Sequence, residues 1–400
     1  MASTLPANPS LVRLRADARA LQRAVRAGAA DARTTVRNHH PRPETALGRA
    51  AFALHDAQLT VARQYGFTGW PALVGYLRAA AGLSVDPGGV DEDALTPQDR
   101  FCALAALRYD HTDAPPRRQA ATELLAAQPD LVGRHIWAAA AAADPDAVRQ
   151  HLRTESAAAR GGPYRWSPLL YVAYSRVPGD ALATARVLLD AGADPDDGYL
   201  WCGMSTPFTV LTGVFGEGEQ GPRRQPRHPH ADELAALLLQ RGAHPADQQT
   251  LYNRMFGADD SHLRLLFAHG LADAGPSPWE RRLGAAMETR EQMWRRQVHW
   301  AAEHGFAERL ALLARHGIDT SGAQLRPVTF PADPNLRDAE GATPLHHAAW
   351  AGDVDLIGRL LAAGADPDVT DLRFGATPLG WAEHAYQTEA AEVLRRVRPT

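Results

Sequence analysis

The sequence predicts an all-α protein in which a small helical domain precedes a solenoid of helix pairs, with β-turn fingers between the pairs. Three observations lead to this prediction. A turn motif recurs near the end of the chain, apolar residues follow helical spacing through most of the sequence, and one polar, glycine-rich break separates a first helical segment from the rest. A solenoid lengthens by adding repeats, so 400 residues accommodate one small domain and several repeats.

The recurring motif is the sequence Gly-Ala-Thr-Pro-Leu, which begins at Gly341 and again 34 residues later at Gly375. Between the two copies, residues 360–367 read Leu-Leu-Ala-Ala-Gly-Ala-Asp-Pro. A glycine can take the left-handed conformation that ends a helix, and a proline cannot continue one. Thr343 followed by Pro344 is typical of a helix start. Each period therefore predicts a turn, a helix, a second helix and a glycine stop.

This motif resembles that of the ankyrin family, whose repeats are about 33 residues long and carry a Thr-Pro-Leu-His type of sequence. Less regular copies lie at 166–195, 205–245, 251–270 and 298–317. The resemblance implies an ankyrin-repeat solenoid, a fold that rarely catalyses reactions. Residues 56–73 resemble the helical region that precedes ankyrin repeats in many uncharacterised bacterial proteins. That type of protein has no established activity, so the resemblance transfers none.

The domain boundary is predicted at residues 83–97, where Asp-Pro-Gly-Gly and three acidic residues are typical of a linker. The predicted organisation is a helical N-terminal domain at 1–82, this linker, and the repeat solenoid at 98–400. The solenoid has an irregular centre at about 199–296, because a polar loop interrupts one repeat and the next lacks its turn motif. The polar loop, at 216–230, is expected to be solvated and flexible, or alternatively to meet an acidic partner.

Composition narrows the functional class. Hydrophobic residues make up 45% and charged residues 22%, with a formal net charge of -4, so no excess of positive charge favours a nucleic-acid partner. Cys102 and Cys202 are too few for a disulfide framework, which fits a reducing compartment. Residues 1–10 lack the pattern of a secretory signal, and no apolar stretch is long enough to span a bilayer. We therefore expect a cytoplasmic protein without a membrane partner.

No familiar catalytic motif is present. Cys202 lacks a Cys-His context, the sequence contains no Gly-x-Ser-x-Gly elbow, and a chain without lysine cannot carry a Gly-Lys phosphate loop. The histidine pairs have no neighbouring ligands at structural-zinc spacing. We therefore predict no catalytic residue, no metal and no cofactor, and favour a binding protein while leaving enzymatic activity open.

The main functional prediction concerns inner-helix positions three and six residues after the motif proline, which repeat packing leaves free. Aromatic side chains at such positions combine contact area with a polar group and are enriched in binding hot spots. We predict a scaffold or adaptor that holds a protein or peptide in an aromatic-lined concave groove. The alternative is that these side chains pack against neighbouring repeats. The predicted anchors are aromatic or histidine residues: Tyr171, Tyr174, Trp300, His347, Trp350 and Trp381.

The irregular centre provides a second candidate site. Arg254 falls where the helices require a small residue, so its guanidinium needs a partner such as Asp259, Asp260 or a ligand anion. Either a salt bridge repairs this repeat, or the centre forms a small-molecule pocket that takes an anionic ligand and carries an unusual active site. The aromatic finger before this repeat, residues 199–208, could project towards the same groove or pack on its neighbour. The remaining candidates are Tyr199, Trp201, Tyr252 and Asn253.

Overall fold

The computed structural model describes residues 5, 9–49, 51–325, 333–385 and 387–397. The fold in these ranges is predominantly helical, as the sequence predicts, with three short strands. The strands are β1 (Ser84–Val85), β2 (Gly198–Trp201) and β3 (Phe208–Thr209). The helices are α1 (Leu11–Arg26), α2 (Ala30–His39), α3 (Pro43–Leu47), α4 (Leu54–Gln64), α5 (Trp70–Ala80), α6 (Pro97–Ala105), α7 (Pro115–Ala127), α8 (Ile136–Ala141), α9 (Pro145–His151), α10 (Pro168–Tyr174), α11 (Ala181–Asp190), α12 (Val210–Phe215), α13 (Gly221–Arg224), α14 (Ala231–Gln240), α15 (Gln248–Arg254), α16 (Ser261–Ala268), α17 (Pro278–Leu283), α18 (Arg290–Glu303), α19 (Ala307–Arg315), α20 (Pro344–Ala351), α21 (Val354–Ala362), α22 (Pro378–His384) and α23 (Thr388–Val397).

The chain forms two compact units. Unit 1 contains Met1–Val90, Gly198–Phe208 and Gly275–Arg290. Unit 2 contains Asp91–Asp197, Thr209–Ala274 and Glu291–Thr400. The first division falls inside the segment predicted to be a linker, which also contains β1 and two short 3-10 helices. Among the described residues, no helix combines the length and the apolar character that crossing a bilayer requires.

Unit 1 includes two segments that the sequence assigns to the irregular centre of the solenoid. Strand β2 pairs in parallel with β1, and Leu200 lies opposite Ser84. Leu200 and Trp279 of α17 are buried in the same core as Leu73 of α5. The hydroxyl of Tyr76 donates a hydrogen bond to the carbonyl of Gly203 at 2.7 Å. These segments join unit 1 because they supply apolar side chains to its core and a hydrogen-bonding partner to β1.

Unit 2 consists of successive helix pairs, which is the architecture predicted for the solenoid. In the described residues the pairs are α6–α7, α8–α9, α10–α11, α12–α14, α15–α16, α18–α19, α20–α21 and α22–α23. The predicted glycine stops are present: Gly192 after α11 and Gly364 after α21 both have φ of +89°. The N–H of Ala365 then bonds the carbonyl of Leu360 at 2.9 Å, so the chain reverses where each outer helix ends.

A buried histidine joins the last two helix pairs. His346 is fully buried, and its Nδ1 accepts the backbone N–H of Thr343 at 3.0 Å. Its Nε2 lies 3.1 Å from the carbonyl oxygen of Ala376 in the next repeat, so a neutral ring with hydrogen on Nε2 satisfies both contacts. Burial lowers the pKa of His346, although the Ala376 carbonyl opposes this. The turn motif thus also fixes the spacing between repeats.

The loop at 216–230 packs within unit 2, so the expectation of a solvated loop is wrong. Gln225 is 1% exposed, and His228 is also buried. Arg176, which follows α10, is buried and needs acceptors for its guanidinium. It donates to the carbonyl of Pro226 in the loop at 2.8 Å and to that of Gly213 at 2.6 Å. The polar sequence of the loop does not predict this packing, because the loop contacts Arg176 through a backbone carbonyl group and not through a side chain.

Candidate binding cleft

Two predicted anchors lie in the core of unit 2. Tyr171 and Tyr174 are both fully buried, so the expectation that they face a groove is wrong. The ring of Trp166 packs on them with centroid separations of 5.4 and 4.9 Å. The Tyr171 hydroxyl donates to the carbonyl of Gly161 at 3.1 Å, and that of Tyr174 donates to the carbonyl of Thr209 at 2.9 Å. These tyrosines pack between neighbouring segments, which is the alternative that the sequence left open.

The aromatic finger is part of unit 1. Tyr199 is fully buried, and its ring centroid lies 5.6 Å from that of Phe208. Trp201 is half-buried, with its ring centroid 6.3 Å from the same phenylalanine. Tyr199 is therefore a core residue that no ligand can reach without local unfolding. The expectation that it projects into a groove is wrong, because the finger uses this ring for its own packing.

Arg254 is neutralised within the fold. Its guanidinium, 2% exposed, pairs with Asp259 at 2.5 Å and with Glu217. Burial raises the pKa of Glu217, although the positive charge of Arg254 opposes this. Asp260 has a different partner, because its carboxylate pairs with the buried Arg309 at 2.6 Å. Of the two alternatives for Arg254, the structure contains the salt bridge.

Beside Arg254, Asn253 points into the fold and Tyr252 begins an aromatic series. Asn253 is buried and accepts a hydrogen bond from Gln249 at 2.8 Å. The ring of Tyr252 meets Phe256 edge-on at 5.3 Å. Phe256 in turn meets Trp300 at 5.0 Å. Trp300 stacks on His304. We call the four half-buried members of this series the central ladder: Tyr252, Phe256, Trp300 and His304.

A cleft of about 980 Å³ lies among the C-terminal helix pairs. One wall is the end of α18, with Glu303 and His304. The other walls come from α20, α21 and α22 and from the turns before α20 and α22. His304 also stacks on Trp300 with centroids 3.9 Å apart, so the central ladder reaches this C-terminal cleft. The cleft aromatics are His347, Trp350, Phe374, Trp381 and His384.

The cleft aromatics form a contiguous group centred on Trp381. Its ring centroid lies 5.9 Å from that of Trp350, 5.6 Å from His347 and 6.4 Å from Phe374. All three contacts are close to perpendicular, which is a favourable geometry for aromatic rings. Trp350 also stacks on His384 at 5.8 Å. The structure thus brings together three predicted anchors, His347, Trp350 and Trp381.

Asp371 holds the turn that carries Phe374. Its Oδ2 accepts the indole N–H of Trp381 at 2.9 Å, and its Oδ1 accepts the backbone N–H of Phe374 at 2.6 Å. Burial alone would raise the pKa of this carboxyl, but these and other hydrogen bonds lower it to about 2. The carboxylate is therefore ionised at neutral pH, and it fixes the orientation of Trp381 against the turn.

The charged groups that line the cleft are mostly acidic. They include four carboxylates and one guanidinium: Glu303, Asp338, Glu340, Asp353 and Arg373. Asp338 lies 2.8 Å from Nε2 of His347, and Arg373 lies over the ring of Phe374 with its guanidinium carbon 4.9 Å from the centroid. Within the described ranges, no three His, Cys, Asp or Glu side chains are grouped to hold a metal ion. The site is suited to binding by aromatic contact and negative charge.

Sequence reasoning missed three aromatic members of these clusters. Phe256 lies just after α15, His304 just before the glycine that follows α18, and Phe374 in the turn before α22. None of these positions is three or six residues after a motif proline. Phe374 could have been found from its place in a short polar turn, where no core requires a large apolar side chain. In the structure its side chain is 66% exposed.

Comparison with known proteins agrees with the repeat pattern. A family model described as "Ankyrin repeats (3 copies)" matches residues 298–397. No curated protein matches the chain. The matched range contains every residue that lines the C-terminal cleft, from Glu303 to His384. The cleft is therefore formed entirely within the three matched repeats.

Proposed function

Because residues 298–397 of this chain are ankyrin repeats, we propose that the protein is a scaffold that holds a peptide segment of a partner protein in the C-terminal cleft. Ankyrin repeats are generally protein-interaction scaffolds. The observation that carries the proposal is the exposure of large aromatic side chains at the cleft: Trp350 is 37% exposed and Phe374 is 66% exposed. Such rings are the side chains that most often dominate binding energy.

The packing of the last two helix pairs does not need these rings. Their core is filled by aliphatic side chains and alanine: Leu345, Ala348, Ala349, Leu356, Ile357, Leu360, Ala382, Ala391 and Leu394. Aromatic rings left outside a complete core are available for contact with another molecule. The central ladder extends this aromatic surface, because His304 belongs to the ladder and also lines the cleft.

The size of the cleft favours a peptide over a small metabolite. Its volume, about 980 Å³, lies at the upper end of the range for small-molecule pockets. Such pockets enclose most of their ligand, whereas Phe374 at this cleft stays largely in solvent. We do not carry forward an anion pocket at the irregular centre, since Arg254 already has two carboxylate partners.

A peptide-display selection tests the proposal. The full chain is immobilised and a random dodecapeptide library is enriched on it. We expect enriched clones whose affinity falls at least about tenfold with Trp350→Ala, because a central aromatic anchor contributes more than about 1.4 kcal/mol to binding. The measurement is fluorescence anisotropy with synthetic copies of the clones.

Trp201→Ala is the control, since Trp201 is a half-buried tryptophan that belongs to unit 1 and lies outside the cleft lining. It should leave the affinity of the clones unchanged. A library without enriched clones, or clones that bind the Trp350→Ala variant as tightly as the wild type, would contradict the proposal. Circular dichroism melting of both variants separates lost binding from lost folding.

A further inference from the structure

We propose that the C-terminal cleft selects a segment that carries arginine or lysine, and that the cationic side chain sits against the cleft aromatics. This inference rests on the proposed function and specifies the chemistry of the partner. Three observations support it: the sign of the charge around the cleft, the stacking of guanidinium groups on the same aromatic surface, and two glutamates that the fold leaves available.

The charge around the cleft attracts a cation. Four carboxylates line it, opposed by the guanidinium of Arg373. A concave surface lined by one sign of charge concentrates ligands of the opposite sign. An anionic ligand, which the sequence left open, and a nucleic acid backbone would both meet repulsion here. A basic peptide segment is therefore the occupant that matches the cleft.

The aromatic surface already accommodates guanidinium groups. Arg373 lies over Phe374 in the cleft, with 4.9 Å between the guanidinium carbon and the ring centroid. In the central ladder, Arg296 lies over Tyr252 at 5.0 Å. Both distances are within the range of cation–π attraction. The arginines of this chain thus show how a partner's cationic side chain would contact the rings of the cleft.

The lining carboxylates differ in how far the fold already uses them. Asp353 accepts the N–H of Leu356 as the N-cap of α21, and Asp338 bonds His347. Glu303 pairs with His299 on its own helix at 3.3 Å, where both side chains are exposed. Among the described residues, the carboxylate of Glu340 has no ion-pair partner. Glu303 and Glu340 are therefore the carboxylates that we assign to recognition of the cation.

The test uses capped pentapeptides Gly-Gly-X-Gly-Gly, with X as arginine, lysine, citrulline or glutamate. Each is titrated into the full chain while NMR follows the indole N–H of Trp350, which is assigned from the spectrum of Trp350→Phe. Citrulline keeps the shape of arginine without its charge. We expect saturable shifts with arginine and lysine, binding at least about threefold tighter than with citrulline, and no shift with glutamate.

The double variant Glu303→Gln with Glu340→Gln removes two charges and keeps the shape of both side chains. We expect the double variant to bind the arginine peptide about threefold to tenfold more weakly than the wild type does. Its affinity for the arginine peptide should then be close to its affinity for the citrulline peptide. Glu233→Gln is the matched control, because Glu233 is an exposed glutamate on α14, outside the cleft lining. It should leave the arginine titration unchanged.

Equal binding of the arginine and citrulline peptides, or no saturable shift with arginine, would overturn the inference. Failure of the inference differs from failure of the proposed function. If display clones depend on Trp350 but keep their affinity when citrulline replaces their arginines and norleucine replaces their lysines, the scaffold proposal stands and the cation preference is wrong. If no display clone depends on Trp350, the proposed function fails first.

Discussion

Helices α10 and α20 start from similar Ser-Pro-Leu and Thr-Pro-Leu motifs, yet their aromatic residues differ in exposure. Each begins at a proline and carries an aromatic residue six positions later, Tyr174 in α10 and Trp350 in α20. Tyr174 is fully buried, whereas Trp350 is 37% exposed. In α10 the preceding turn places Trp166 on the ring, and a backbone carbonyl accepts the hydroxyl. At α20 the corresponding side chain borders the C-terminal cleft.

The difference shows that repeat position determines where an inner-helix side chain points, while the neighbouring segments determine whether it is covered. The turn before α10 contains Tyr164 and Trp166, both fully buried. The turn before α20 instead places Asp338 beside His347, and both line the cleft. The same helix start therefore serves stability in one repeat and is available for binding in the other.

The largest expected effect is on stability. Tyr174→Ala should lower the free energy of unfolding by about 3–5 kcal/mol, because it removes a large buried ring and leaves a cavity beside Trp166. Urea denaturation followed by circular dichroism measures this. The same substitution at Trp350 should cost less than about 1 kcal/mol, since that ring is partly in solvent and the aliphatic core beneath it is complete. Equal losses in the two variants would contradict the comparison.

A second, smaller effect depends on pH and comes from the buried loop beside α10. Burial, with the charges of Arg176 and His230, lowers the pKa of His228 to about 2. In the unfolded chain a histidine titrates near 6.5, so the unfolded state takes up a proton that the folded state refuses. His228 therefore contributes stability above pH 6.5 that is lost as the pH falls towards 2. We expect a loss of roughly 2 kcal/mol between pH 8 and pH 5 from this residue.

His228→Asn checks this expectation. The asparagine Oδ1 can still accept the N–H of His230, which Nδ1 of His228 accepts at 3.1 Å, but the side chain no longer titrates. At pH 8 the difference in free energy of unfolding between the variant and the wild type gives the cost of the replacement itself. Below pH 6.5 the variant should lose stability less steeply than the wild type. Parallel stability curves from pH 8 to pH 5 would show that His228 is accessible to protons in the folded state.

The periodic features of the fold could be predicted from the sequence. A helix start at Pro344, a stop at Gly364 and the pairing of helices follow from local backbone preferences, which the sequence displays directly. The segments of unit 1 at 198–208 and 275–290 could not be predicted in the same way. Their assignment depends on which distant core accepts Leu200 and Trp279, and periodicity contains no information about that choice.

The candidate site was predictable only where the repeats are regular. His347, Trp350 and Trp381 lie together because two adjacent turns, at Gly341 and Gly375, follow the same spacing. Tyr171 was misplaced because the Tyr-Arg-Trp turn that covers it follows no period. Phe374 escaped notice for a related reason, because a residue in a turn has no face that a helical period can assign.

The smallest effect concerns a feature that the two repeats share. Asp180 caps α11 by accepting the N–H of Ala183 at 3.0 Å, and Asp353 caps α21 by accepting that of Leu356 at 2.9 Å. Replacing either aspartate by alanine should cost about 1 kcal/mol, because each leaves one helix N-terminus without its cap. Urea denaturation of the two variants should give losses that agree within about 0.5 kcal/mol. A much smaller loss for Asp353→Ala would mean that repulsion from the other cleft carboxylates offsets the stability that Asp353 contributes as a cap. The two repeats would then differ in the energetics of their helix starts as well as in the exposure of their aromatic side chains.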